Sequence, residues 1–83
     1  MQYSSILVTT VPASFDDCVE GLSRLSGVEV HLRYPKEGRI IVTQESTSFE
    51  EQKEGLRRIQ TTPHVLTADL VYHYVEEEES PGS

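Results

Sequence analysis

The sequence predicts an α+β fold: a four-stranded antiparallel sheet with two helices on one of its faces. Three observations lead there. The stretch Gly27 to Glu45, GVEVHLRYPKEGRIIVTQE, alternates apolar and polar residues with a period of two on both sides of a Pro-Lys-Glu-Gly turn. Two more segments with that period lie near the two ends of the chain. Between each of them and the central hairpin stands a segment whose apolar residues recur at helical spacing.

The first strand is read over Ser4 to Val11. Ile6 and Val8 take one face, and Ser5, Leu7 and Thr9 take the other. Pro12 ends it. Ser14 stands three residues before Asp17, a weak form of the capping box. Phe15, Cys18, Val19, Leu22 and Leu25 then make one apolar stripe, so a helix is predicted over Phe15 to Leu25, stopped by Gly27.

In the hairpin, Val28, Val30, Leu32 and Tyr34 alternate with Glu29, His31 and Arg33. Pro35-Lys36-Glu37-Gly38 reverses the chain, with Gly late, where a positive φ is needed. Ile40 and Val42 share one face of the return strand; Arg39, Ile41 and Thr43 share the other. A lone hairpin is not stable in water, so its apolar face has to be covered.

Ser48 and Glu51 form a second capping box, and Glu50 and Glu51 suit the positive end of a helix dipole. Phe49, Gln52, Leu56 and Ile59 give that helix a poorer stripe through about Gln60, with Arg57 and Arg58 in its last turn. Thr61-Thr62-Pro63 breaks it. The last strand is read over Val65 to Val75, with Leu66, Ala68, Leu70, Tyr72 and Tyr74 on one face. Residues 1–75 are taken as a single domain. Residues 76–83, four glutamates and then Ser-Pro-Gly-Ser, are taken as an acidic, disordered tail.

The order β-α-β-β-α-β is the ferredoxin-like arrangement. Right-handed crossovers put the first and third strands in the centre and leave one sheet face uncovered. The covered face is expected to collect Ile6, Val8, Val28, Val30, Leu32, Ile40, Val42, Leu66, Ala68 and Leu70. The open face is expected to carry Leu7, Thr9, Glu29, His31, Arg33, Arg39, Ile41, Thr43, Thr67, Asp69, Val71 and His73. Leu7, Ile41 and Val71 would then adjoin across three strands as an apolar strip with a polar rim, which has the form of a docking surface.

Composition bounds the function. At 83 residues the chain is near the lower size for a core without disulfides or metal. Its single cysteine, Cys18, allows neither an internal disulfide nor a cysteine metal site. Fourteen acidic against seven basic residues give a net charge of −7, which disfavours nucleic acid and favours a basic peptide or protein. No long apolar run and no leader-like start are present, so the expected location is cytoplasmic, without membrane insertion.

The chain resembles the NapD family, small cytoplasmic chaperones for the catalytic subunit of periplasmic nitrate reductase. Three stretches carry the resemblance: SSILV at Ser4 to Val8, the hairpin at Gly27 to Glu45, and VLTADLVYHYVEEEE at Val65 to Glu79. The helices match in pattern rather than in residues. The resemblance implies the ferredoxin-like fold and binding of the twin-arginine signal peptide of the reductase precursor. It implies that export is held back until the molybdenum cofactor and the iron–sulfur cluster are installed. It implies no catalysis and no cofactor of the chaperone's own.

On this reading the peptide contacts are Leu7, Thr9, Arg39 and Ile41, with Thr43, Asp69, Val71 and Glu29 beside them. The residues alone allow a second copy to pack on the open face instead; the resemblance favours the peptide. The oligomeric state expected is a monomer or weak homodimer.

Other sites have plainer explanations. His31 and His73 would lie on opposite edge strands, ~14 Å apart, too far to share a metal. Cys18 sits on an apolar stripe, as a buried, inert thiol does. Glu50 and Glu51 are explained by capping. Among other uses of the fold, a copper or zinc carrier needs a C-x-x-C loop, an RNA binder needs aromatic residues on the central strands, and an acylphosphatase needs a glycine-rich phosphate loop. None is present. The alternative left is a small-ligand, amino-acid-sensing regulatory domain.

Overall fold

The computed structural model describes residues 1–75. Its elements, in chain order, are β1 (Gln2–Thr9), α1 (Phe15–Ser23), β2 (Val28–Tyr34), β3 (Arg39–Ser46), α2 (Phe49–Gln60) and β4 (Thr67–Val75), with a 3₁₀ turn (Pro12–Ser14) leading into α1. All four strands are antiparallel and lie in the order β2-β3-β1-β4, with β1 and β3 central. This is the predicted βαββαβ, ferredoxin-like arrangement. The assignment of residues 76–83 to a tail lies outside the described residues.

The core forms where the central strands meet the helices. Ile6 and Val8 of β1 and Ile40 and Val42 of β3 are fully buried against Phe15, Cys18 and Leu22 of α1 and Ile59 of α2. Each such large aliphatic side chain contributes about 1.5–3 kcal/mol on burial. Of β4, only Ala68 joins this cluster. Leu66 is 61% exposed, since it precedes β4 and is held there by its N–H to the Thr9 carbonyl (2.8 Å). Leu70 is paired with Ile6 but stands on an edge strand and is also exposed. The expected burial of Leu66 and Leu70 is therefore corrected.

The turn that builds the hairpin also anchors β1. Gly38 has φ +66°, and its N–H donates to the Pro35 carbonyl (3.3 Å). Its own carbonyl accepts from the Thr10 N–H (2.7 Å), and a Cβ at this position would come within 2.0 Å of the Thr10 carbonyl oxygen. A positive φ and a close backbone approach both require glycine here.

The helix ends depart from the sequence reading in two places. Ser14 makes no side-chain cap, because the chain enters α1 from the 3₁₀ turn. Helix α1 stops at Ser23 rather than Leu25, where the backbone switches to i−3 bonds, Arg24 to Gly21 and Leu25 to Leu22. In α2 the cap forms: the Glu51 N–H donates to Ser48 Oγ (3.1 Å). The Glu51 carboxylate reaches back to Thr47, accepting from its N–H (3.3 Å) and its hydroxyl (2.9 Å). Capping accounts for Glu51 as read from the sequence.

Both outer strands carry an irregularity that turns their far halves over. In β2 the register passes from Val30↔Val42 to Leu32↔Ile41, leaving His31 as the extra residue. In β4 it passes from Ile6↔Leu70 to Ser5↔Tyr72, leaving Val71 as the extra residue. Such a bulge breaks the period of two, so every side chain beyond it changes face. Leu32 and Tyr34 therefore lie on the open face and Arg33 on the helix side, the reverse of the prediction. In the same way Tyr72 and Tyr74 lie on the open face and His73 on the helix side. There the His73 ring meets the Phe49 ring edge-on at 5.8 Å, and its Nε2 is 3.3 Å from Gln2 Oε1.

Candidate functional site: the open face of the sheet

The open face follows from the ladder register, one row at a time. Glu29, Thr43, Ser5 and Tyr72 form one row across all four strands. The next row, toward the hairpin turn, is Leu32, Ile41, Leu7 and Asp69. Tyr34, Arg39, Thr9 and Thr67 make the row beside the turn. At the other end, Glu45 pairs with Tyr3 and Tyr3 with Tyr74.

The middle of this surface is apolar. Leu7 and Ile41 are half-buried, and Leu32 is 42% exposed. A shallow depression of about 300 Å³ is lined by Leu7, Ile41, Tyr34, Arg39 and Glu37. Neither α1 nor α2 covers any of it: both pack on the other side, where Ile6, Val8, Ile40 and Val42 point.

Three tyrosines occupy the end away from the turn. The Tyr3 and Tyr74 rings stack at 5.4 Å with 20° between their planes, and the Tyr72 ring lies 6.2 Å from Tyr74. Tyr72 and Tyr74 remain 60% and 45% exposed. Aromatic pairs at such separations stabilise a sheet surface by roughly 0.5–1.5 kcal/mol beyond area burial. Both Tyr72 and Tyr74 thus keep ring surface exposed on this face.

Seven of the eight residues assigned from the sequence are brought together here: Leu7, Thr9, Arg39, Ile41, Thr43, Asp69 and Glu29 all occupy open-face register positions. Val71 does not. It is the extra residue of the β4 bulge, and Asp69 takes the place opposite Leu7. The expected adjacency of Leu7, Ile41 and Val71 is thus replaced by Leu32, Ile41, Leu7 and Asp69. Sequence reasoning missed Leu32, Tyr34, Tyr3, Tyr72 and Tyr74. Neither bulge has a glycine to mark it, and Tyr3 precedes Ser4, where the sequence pattern starts the first strand.

Cys18 is fully buried between α1 and the sheet. Burial pushes its thiol up from the ordinary value, and a hydrogen bond with Thr10 offsets part of that. Among the described residues no group of three or more His, Cys, Asp or Glu is arranged to hold a metal ion. Among them, too, no helix is long and apolar enough to cross a membrane.

The family model for the NapD protein matches residues 1–77. The solution structure of the E. coli Tat proofreading chaperone protein NapD is similar over 98% of this chain and 87% of its own, with 29% identity and a TM-score of 0.81. No curated protein sequence matches the chain.

Proposed function

The chain belongs to the NapD family, and we propose that it binds the twin-arginine signal peptide of the periplasmic nitrate reductase catalytic subunit on the open face of its sheet. There it acts as a proofreading chaperone, delaying export until cofactor insertion is complete. The observation that carries the placement is the uncovered row Leu32–Ile41–Leu7, apolar in its centre and flanked by Asp69 and Glu29. A twin-arginine signal has a basic start followed by an apolar segment. A surface that holds it has to offer an apolar floor and acidic neighbours, and this face offers both.

The energetics fit a reversible carrier. Each aliphatic or aromatic side chain fully covered by the peptide contributes about 1.5–3 kcal/mol gross. Association and ordering cost several kcal/mol in return. A few such contacts together with charge pairing give binding strong enough to sequester the signal and weak enough to release it. While bound, the signal is denied to the export machinery; this is mass action and needs no chemical step. The role we assign is accordingly non-enzymatic and needs no cofactor.

The peptide partner is cytoplasmic before export, and so, on this reading, is the chaperone. The acidic balance of 14 to 7 supports a basic peptide over nucleic acid. We take the chain to be a monomer or weak homodimer, any pairing through the open face giving way to the peptide. Neither the family match nor the structural likeness supports the amino-acid-sensing alternative.

The test is a calorimetric titration of the full chain with the reductase signal peptide, beside a pull-down from nitrate-grown cell extract. Saturable binding and recovery of the unprocessed reductase are expected. No heat of binding and no recovered precursor would remove the proposal.

A further inference from the structure

Charge and aromatic character are distributed unequally along the open face. At the end away from the turn stand the tyrosine cluster Tyr3, Tyr72 and Tyr74 and the carboxylates of Glu45 and Glu29, on neighbouring strands. No cationic side chain occupies the open-face register at that end among the described residues. At the turn end, Asp69 and Glu37 are balanced by Arg39, which occupies the register beside Tyr34, and by Lys36 of the turn.

We infer that the open face is directional: it seats the paired arginines of a bound signal peptide on the tyrosine cluster beside Glu29 and Glu45, and the apolar segment over Leu7, Leu32 and Ile41. This rests on the function proposed above. Guanidinium groups stack on aromatic faces and pair with carboxylates, whereas at the turn end Arg39 and Lys36 cancel the attraction of Asp69 and Glu37. From Tyr3 to Leu7 along β1 is ~13 Å, the length of about nine helical or four extended residues. The peptide thus runs in the same sense as β1, basic start at Tyr3 and apolar segment toward Thr9. The tyrosines act by their π faces, not only by their apolar area.

Two measurements on the full-length chain test this. The first compares the reductase signal peptide with a version in which both arginines are glutamine. Tyr74→Leu keeps the apolar bulk and removes the ring; it is expected to weaken the arginine peptide about tenfold and the glutamine peptide less than twofold. Glu45→Gln, at an exposed site, is expected to act in the same selective way. Equal losses with both peptides, or none with either, would overturn the inference. The second places a paramagnetic label at the peptide's amino end. Broadening of the Gln2, Glu45 and Tyr74 amides is expected. Broadening at Tyr34 and Arg39, with the Leu7 and Ile41 signals still shifted by the peptide, would reverse the direction and leave the proposed function standing. A wild-type chain that binds neither peptide would remove both.

Discussion

Leu7 stands directly opposite Asp69 across the β1–β4 ladder, so a carboxylate borders the apolar centre of the open face. Their backbones are a ladder pair, and Asp69 is exposed while Leu7 is half-buried. With Glu29 and Glu45 toward the other end of the face, Asp69 gives the surface a negative rim that draws in a basic peptide. Association of the signal peptide is therefore expected to slow as salt rises to physiological levels, where the Debye length is ~8 Å. Glu45→Gln, beside the seat inferred for the arginines, should flatten this dependence more than Asp69→Asn does. Stopped-flow association rates across a salt series check it; a rate indifferent to salt would remove the role assigned to the acidic rim.

Adjacent residues of β3 face opposite ways, which permits a matched pair of variants. Val42 is fully buried and Ile41 half-buried on the open side. Val42→Glu puts a charge into the core and should cost at least about 4 kcal/mol, comparable with the whole stability of a domain of this size, roughly 4–12 kcal/mol. Ile41→Glu should cost about 1 kcal/mol and abolish peptide binding. Thermal melts beside calorimetry separate the two; an unfolded Ile41→Glu with a folded Val42→Glu would mean the faces are reversed.

Gly38 offers a test of the hairpin. Alanine there has to adopt φ +66° with its Cβ 2.0 Å from the Thr10 carbonyl oxygen, so the β1–turn contact has to open. Gly38→Ala should destabilise by about 2–4 kcal/mol and lower the melting temperature by roughly 10 °C or more. A melt within 2 or 3 °C of wild type, to take a rough limit, would contradict the anchoring role.

Cys18 gives a pH prediction. Its thiol is raised in the folded state, chiefly by burial. The folded chain therefore holds that proton more tightly than the unfolded chain does. Its contribution to stability is complete below the ordinary thiol pKa, about 8.5, and is lost as pH rises from there through the folded value. Cys18→Ala should remove this part of the alkaline slope in denaturant titrations. In the wild type, iodoacetamide should label Cys18 only after denaturation; rapid labelling of the native chain would contradict its burial.

The element order was legible because Pro12, Gly27, Gly38 and Pro63 punctuate the chain and the central strands keep strict alternation. Ile6, Val8, Ile40 and Val42 sit where their period puts them. The outer strands were legible only up to His31 and Val71. Past each extra residue the parity inverts, and nothing in VEVHLRY or TADLVYHYV marks the place. An edge strand has one unpaired side, so it accepts the extra residue without losing a second ladder. That is why the central site residues were found while Leu32, Tyr34, Tyr72 and Tyr74 were assigned to the wrong face. The bulges enlarge the apolar and aromatic part of the surface that sequence reasoning had singled out.

The most direct test of the central claim is a methyl-resolved NMR titration of the full chain with the reductase signal peptide. The methyl signals of Leu7, Leu32 and Ile41 should shift in a saturable way, while those of Leu22, Leu56 and Ile59, on the helices, stay in place. Shifts gathered on the helices, with the three open-face residues unmoved, would contradict it.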